Sequence, residues 1–192
     1  MKKIVLAIVA AALMATPAMA AMPMTVGGEL GLGIAFDDGL DDADFGDRVG
    51  FPIINLRAIF LLENVQVGAN PLAVGALVGY NRYYTFEYPG VEASFSAIPI
   101  LGVAQIRPIA QPLYVEAGLG FAMAMTHMEY NVGYPLPDVD DSSLEFGLML
   151  GAGYAVALNE QMEIPVGARM MMIFSDGSAK QLQITVGFNY KM

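Results

Sequence analysis

The chain reaches its C-terminus in the stretch Thr185–Met192, TVGFNYKM, whose residues alternate strictly in character. One set is large and apolar or aromatic, and comprises Val186, Phe188, Tyr190 and Met192. The set between them is small or polar, and comprises Thr185, Gly187, Asn189 and Lys191. Because successive side chains of a β-strand point to opposite faces, this period of two predicts a terminal strand with one apolar face.

The same alternation recurs along the chain, as in the stretch 143–158, SLEFGLMLGAGYAVAL. In a water-soluble sandwich the second face of such a strand is solvated and rich in charged residues and threonine. Here the second face carries mainly glycine, alanine and isolated charges, which suits a cramped interior and leaves the apolar face for lipid. Backbone groups in lipid must be paired within the protein, so the strands are predicted to close into a barrel.

The alternating runs number eight and each is long enough to cross a membrane when tilted. They lie near 25–36, 50–62, 71–87, 93–107, 112–127, 143–157, 161–175 and 181–192. Membrane barrels have long loops outside the cell and short turns in the periplasm. The long connections 37–49 and 128–142 are therefore predicted to be extracellular, and the short ones at 108–111 and 158–160 periplasmic. The predicted fold is all-β, an eight-stranded antiparallel up-and-down transmembrane β-barrel.

Three local features leave the strand assignment open. The segment 63–70 is long for a periplasmic turn, and Pro71 after it disfavours an easy start to a central strand. In the run 93–107 both faces are apolar, so the inward face is not assigned. Arg82 falls on the predicted lipid face, which suggests a β-bulge near Gly79.

Residues 1–20 are predicted to be a cleaved signal peptide, and residues 21–192 the barrel domain. The first segment has two lysines, a short apolar run and the small-residue site Ala18-Met19-Ala20. The predicted location is the cell outer membrane. The chain has no cysteine and a net charge of −10 without a basic cluster, which argues against nucleic acid as a partner.

A few charged residues fall on the face predicted to line the lumen. The candidate network comprises Glu29, Arg57, Glu116, Glu163, Arg169 and Lys191. Pairing across the first hairpin places Glu29 opposite Arg57, and the last hairpin brings Glu163 near Lys191. Arg169 is expected opposite Gly187, within reach of Glu29 or Glu116. Buried charges need partners, so we expect ion pairs that plug the lumen. The alternative is a narrow polar path gated by the same pairs.

Aromatic residues on the predicted lipid face fall into two levels. The residues expected near the extracellular rim are Phe36, Phe146 and Phe174, and those near the periplasmic rim are Phe60, Tyr154 and Tyr190. Two such girdles are typical of membrane interfaces.

Motifs for chemistry are weak. The glycine-rich GELGLG at 28–33 lacks the following helix of a phosphate loop, so we interpret its glycines as lumen lining. His127 has Glu129 two residues later and Ser142 and Ser143 on the next strand, so a lipid-modifying enzyme is a third alternative. We expect no enzymatic activity, no metal and no cofactor. The acidic loops 37–49 and 128–142 lack EF-hand spacing and are candidates for contact with an extracellular ligand.

Three stretches carry a resemblance to a known family: IPILGVAQIRPIAQPLYVEAGLGFA at 98–122, LMLGAGYAVALNEQMEIPVGARM at 148–170, and the terminal TVGFNYKM. They resemble the small outer-membrane barrels of the OmpA-like and OmpX-like type. The resemblance implies contact with outer-membrane lipids and lipopolysaccharide, and recognition of the last strand by the barrel-assembly machinery through Thr185, Gly187, Tyr190 and Met192. Met192 stands where the family usually has phenylalanine. The expected role is structural or surface interaction, with a small-solute or hydrophobic-compound channel as the alternative.

Overall fold

A computed structural model describes residues 23–37, 53–67, 70–88, 90–107, 112–130, 139–174 and 179–192. It is a closed barrel of eight antiparallel strands in sequence order. The strands are β1 (Met24–Asp37), β2 (Ile53–Val67), β3 (Asn70–Tyr88), β4 (Val91–Ile106), β5 (Leu113–Tyr130), β6 (Val139–Ala157), β7 (Met162–Phe174) and β8 (Ala179–Lys191). No helix among these residues is long and apolar enough to cross a membrane.

The barrel closes where the first strand meets the last. The backbone N–H of Met24 donates to the carbonyl of Met192 at 3.1 Å, and the N–H of Met192 donates to the carbonyl of Met24 at 2.7 Å. From there the pairing continues from Thr25 opposite Lys191 to Asp37 opposite Ala179. This confirms the predicted closure. We call the end with Met24 and Met192 the termini end and the opposite end the loop end.

The predicted faces of the terminal strand are confirmed. Val186 and Phe188 are 50% and 46% exposed on the outer wall, whereas Thr185 and Asn189 are buried in the lumen. The outer wall is apolar over the other strands too, as at Leu119. Strand periodicity therefore separates a lipid-compatible exterior from a packed interior.

The inward face of β4, which the sequence left open, consists of its odd-numbered residues. Leu101 and Val103 are buried, and Ile100 and Ile106 are exposed on the outer wall. Both faces are apolar because part of the lumen is itself apolar. Its inward side chains form one cluster that includes Leu61, Leu77, Leu101, Met149, Met171 and Ile173.

Several predicted boundaries were wrong. The segment 63–70 is not a long turn, because β2 continues to Val67 and β3 begins at Asn70. Pro71 pairs with Gln66 near the strand end, where one missing donor disrupts little of the ladder. Likewise β5 extends to Tyr130 and β6 begins at Val139, which shortens the connection predicted at 128–142. Alternation alone does not mark where a strand ends, so the predicted strands were too short.

Two irregularities in the ladder involve β3. The register shifts between Leu62 and Val65 on its β2 side. On its β4 side the register shifts between Arg82 and Tyr84 instead of near Gly79. Arg82 remains on the outer wall, and most of the predicted connection 37–49 lies outside the described residues.

Candidate functional site in the barrel lumen

The centre of the lumen is crossed by one guanidinium that joins opposite walls. Arg169 on β7 donates from Nη2 to Glu29 Oε1 on β1 at 2.9 Å, and from Nη1 to the other oxygen of Glu29. Its Nε donates to Glu116 Oε1 on β5, and its Nη1 also donates to Thr185 Oγ1 at 2.7 Å. Because β1 and β5 are four strands apart in either direction, they face each other across the barrel. We call Arg169, Glu29 and Glu116 the central crossbar; all three are at least 95% buried.

Glycines make room for these side chains. Gly151 is paired with Arg169, and Gly187 with Glu29. A Cβ at Gly151 would lie 2.7 Å from Arg169 Cγ and 2.8 Å from Glu116 Oε1, and one at Gly187 would lie 2.5 Å from Glu29 Cγ. Since real Cβ contacts are not this short, the residues facing the long charged side chains must lack a Cβ or the crossbar must shift.

A second set of ion pairs closes the termini end. Arg107, which follows β4, donates from Nη1 and Nη2 to the two carboxylate oxygens of Glu163 on β7, at 2.8 and 2.6 Å. Lys191 Nζ lies 2.9 Å from Glu163 Oε2, and Asn189 Nδ2 donates to Glu163 Oε1 at 3.0 Å. We call these four residues the terminal clamp. The bidentate pair fixes geometry as well as charge, so the clamp ties β4 to β7 across the opening.

The ion pair with Glu163 favours the charged form of Arg107. Burial alone lowers the pKa of the Arg107 guanidinium, but the hydrogen bonds and the negative charge of Glu163 outweigh burial, and the pKa lies above its ordinary value. Arg107 therefore stays protonated wherever the barrel is folded.

The residues of the predicted network lie in the lumen, but some of them have partners other than those predicted. The strand register sets Glu29 opposite Arg57, as pairing across the first hairpin predicted. The expected reach of Arg169 toward Glu29 or Glu116 is confirmed, because Arg169 donates to both carboxylates. The Arg57 guanidinium makes no hydrogen bond, although it stands opposite Glu29. Arg169 stands opposite Gln183, so the predicted position opposite Gly187 was wrong. Register fixes Cα neighbours, but a long arginine side chain reaches two strands away.

At the termini end, the expected proximity of Glu163 and Lys191 is confirmed by the ion pair at 2.9 Å. The sequence interpretation missed Arg107, the strongest partner of Glu163. Arg107 ends the run 93–107, whose inward face was not assigned. The sequence offered no signal for this pair, because Lys191 was already available as the cation for Glu163.

The predicted aromatic girdle residues lie on the outer wall where they are described. Phe146 and Phe174 are neighbours in register, with ring centroids 5.8 Å apart. Tyr154 and Tyr190 are exposed, and Phe60 is partly exposed. The side chain of Phe36 lies outside the described residues. Contact of these rings with a lipid interface remains a prediction.

His127 lies in a row of polar side chains near the loop end. Its Nδ1 is 2.7 Å from Asp140 Oδ1 on β6, and Ser94 on β4 stands opposite it on the other side. Ser142 and Ser143 instead face Met125 and Ala124 of β5. Within the described ranges, no group of three or more His, Cys, Asp or Glu residues is placed to hold a metal ion.

The sequence profile of the outer membrane protein beta-barrel domain matches residues 4–191. The chain belongs to this family. Its place is therefore the outer membrane. No curated protein matches the chain in sequence.

Solved structures with the same architecture share little sequence with the chain. Ail, the attachment invasion locus protein of Yersinia pestis, superimposes with a TM-score of 0.57 at 12% identity, over 88% of this chain and 99% of Ail. A major outer membrane protein from Thermus thermophilus gives 0.55 at 14% identity, covering 88% and 99%. Neisserial surface protein A gives 0.51 at 13%, covering 88% and 97%. At such identities the likeness concerns the fold alone.

The crossbar predicts a specific pattern of stability. Replacing Arg169 with methionine leaves two buried carboxylates without their cation, so we expect the free energy of unfolding to fall by about 3–5 kcal/mol. Adding Glu116→Gln removes one of the two carboxylates and leaves Glu29 opposite Arg57, so most of the loss should be recovered. Urea titration in lipid vesicles, followed by gel mobility, measures both effects. Arg82→Met, on the outer wall, is the control; an equal loss in that variant would contradict the role of the crossbar.

Proposed function

We propose that this protein is a closed, non-conducting barrel that anchors surface loops in the outer membrane. The observation that carries the proposal is the central crossbar, in which Arg169 spans the lumen between facing walls at less than 2% exposure. A solute moving along the axis has to displace this guanidinium from two carboxylates. Removing one member of a buried ion group costs several kcal/mol, which makes a resting conduction path unfavourable.

Two further layers support closure. The terminal clamp occupies the termini end, with Glu163 only 2% exposed. Toward the loop end, Met149, Met171 and Ile173 of the apolar cluster occupy part of the lumen, and each of these side chains is fully buried. An eight-stranded barrel has an interior that side chains can fill, so three occupied layers favour a plug over a pore.

Conductance distinguishes the plugged barrel from the channel alternative. We expect no steady single-channel current in planar bilayers, because the path through the crossbar is occupied. The same recording is made with Arg57→Ala, Arg169→Ala and the outer-wall control Arg82→Ala. A steady current that changes in the two lumen variants and not in the control would establish a channel gated by the ion pairs and overturn the proposal.

The outer surface suits the partners expected of such an anchor. Outer-membrane lipids and lipopolysaccharide would cover the apolar wall between the two aromatic levels. The barrel-assembly machinery would recognise the terminal strand through Thr185, Gly187, Tyr190 and Met192. The long connections then face outward from the cell.

Charge at the loop end favours a cationic partner. Glu92 and Glu129 are opposite each other on β4 and β5 and both are exposed, as are Asp140 and Asp141 at the start of β6. The segment 37–49 is also rich in aspartate. Ail, which shares the fold, was crystallised with the heparin analogue sucrose octasulfate, a polyanion. An acidic rim repels polyanions, so we propose that this chain takes partners of the opposite charge.

A binding experiment tests the acidic rim. Proteoliposomes should bind fluorescent polylysine in a salt-sensitive manner, and heparin should not bind. The variant Glu92→Gln, Glu129→Gln, Asp141→Asn should bind polylysine about tenfold more weakly, since three exposed charges contribute roughly 0.5 kcal/mol each. Glu160→Gln, exposed at the termini end, is the matched control. Equal polylysine binding by the triple variant and the wild type would remove the rim from the interaction.

We also propose that the row at His127 is not catalytic. His127 and Asp140 make the histidine–acid contact that activates a serine, and Ser94 stands next to them. Their side chains, however, are 45% and 80% exposed. Water then screens the charges, whereas serine hydrolases rely on a shielded acid and a preorganised oxyanion site.

The lipid A profile distinguishes this proposal from the lipid-modifying alternative. Cells that express His127→Ala should show the same lipid A mass spectrum as cells that express the wild type, because no step depends on the imidazole. Cells without the protein provide the reference. A modification that appears with the wild type and is lost with His127→Ala or Ser94→Ala would demonstrate catalysis.

A further inference from the structure

Arg57 is a buried cation that belongs to neither the central crossbar nor the terminal clamp. The residue is 6% exposed, and its Nε, Nη1 and Nη2 make no hydrogen bond. The nearby carboxylates are bonded to other residues and accept no hydrogen bond from Arg57. Both oxygens of Glu29 accept from Arg169, while Glu116 Oε1 accepts from Arg169 and its Oε2 from Gln105 at 3.5 Å. The donors of Arg57 therefore need another acceptor.

Other unpaired polar atoms surround the lumen on the same side of the crossbar. They are Nδ2 and Oδ1 of Asn55 and of Asn81, the Tyr83 hydroxyl, and Oε1 of Gln183. Asn55 and Arg57 are successive inward residues of β2, and Asn81 and Tyr83 are successive inward residues of the neighbouring β3. We call Arg57, Asn55, Asn81, Tyr83 and Gln183 the upper polar cluster; each is at least 94% buried.

Glycines on β1 bring the two sides of this cluster together. Gly31 stands opposite Asn55, and Gly33 stands opposite Gln183. A Cβ on Gly33 would lie 2.9 Å from Asn55 Nδ2 and 2.5 Å from Gln181 Nε2, and Gln183 Nε2 donates to Gln181 Oε1. The amides of β2 and β8 therefore approach each other over the part of β1 where the inward residues are glycines.

Donors dominate this site. A guanidinium offers N–H groups on all three nitrogens and accepts nothing, the two asparagine amides each offer an NH₂, and the Tyr83 hydroxyl offers a proton. The acceptors are three amide oxygens. Leaving buried donors unpaired costs about 1–3 kcal/mol for each group, and more for a charged one, so native proteins satisfy them.

We propose that the upper polar cluster binds a small inorganic anion of the size of chloride, with Arg57 as its charged ligand. A halide accepts hydrogen bonds from several directions at once, which suits donors carried by two neighbouring strands, β2 and β3. The packed lumen excludes larger oxyanions and organic anions. The crossbar carries one more carboxylate than guanidinium, and this surplus charge opposes the anion. Binding is consequently weak and saturates only at high halide concentration.

Halide-dependent stability tests the site. The urea midpoint of the folded barrel in detergent is measured in sodium chloride and in sodium gluconate at equal ionic strength, because gluconate is too large to enter. The wild-type midpoint should rise with chloride. Arg57→Met keeps the length of the side chain and removes the donors, so its midpoint should be the same in both salts. Asn81→Ala should reduce the chloride effect. Arg107→Met removes a cation from the terminal clamp and should retain the full chloride effect.

Crystals soaked in bromide supply a direct readout. An anomalous peak within hydrogen-bond distance of the Arg57 guanidinium supports the site, and its loss in Arg57→Met confirms the ligand. Water alone around Arg57 in the soaked crystal would overturn the proposal, as would a wild-type midpoint that ignores chloride or a chloride effect that survives in Arg57→Met. None of these results depends on the surface role of the loops or on conductance.

Discussion

Closure of the sheet is the constraint on which the rest of the molecule depends. A strand edge left open in hydrocarbon would expose a row of unpaired N–H and C=O groups, each costly without water. Pairing of β1 with β8 from Met24 to Asp37 removes that edge. Closure with only eight strands also fixes a narrow lumen. Every inward side chain must then fit a space whose width the backbone has already set.

The lumen shows how charge and volume are reconciled in that space. Arg169 occupies the middle only because Gly151 and Gly187 face the crossbar without side chains. Buried ion pairs are weak sources of net stability, because desolvation offsets most of their attraction. The crossbar and the terminal clamp therefore act mainly to define which walls face each other, while the apolar cluster supplies the burial of hydrophobic surface.

The sequence predicted those features that follow from the period of two. The alternation in TVGFNYKM and in 143–158 indicated the lipid face and the closure, and pairing across the first hairpin placed Glu29 opposite Arg57. The family was indicated by a resemblance and not by the alternation. The inward position of Arg169 also predicted its reach toward Glu29 or Glu116, and the side chain contacts both. The pair between Arg107 and Glu163, three strands apart, could not be predicted in this way, because the inward face of the run 93–107 was not assigned.

Other differences between the sequence prediction and the structure have local causes. Both faces of β4 are apolar because the lumen has an apolar sector, which binary patterning treats as an exterior. The strands β2, β5 and β6 extend beyond their predicted ends, where no change of pattern marks a boundary. The unpaired state of Arg57 follows from competition for carboxylate oxygens, and a register map contains no information about such competition.

The crossbar also affects which register of closure is stable when the barrel assembles. Its members come from the first strand, the fifth and the seventh, so it forms only when the sheet has curled into its final circle. A slip of one residue between β1 and β8 would turn Glu29 from the lumen to the lipid, where its charge is costly. A barrel closed out of register would thus place a carboxylate in hydrocarbon, and Arg169 would lose one of its two carboxylate partners. The three charges therefore destabilise a barrel closed in the wrong register and favour the native pairing of β1 with β8.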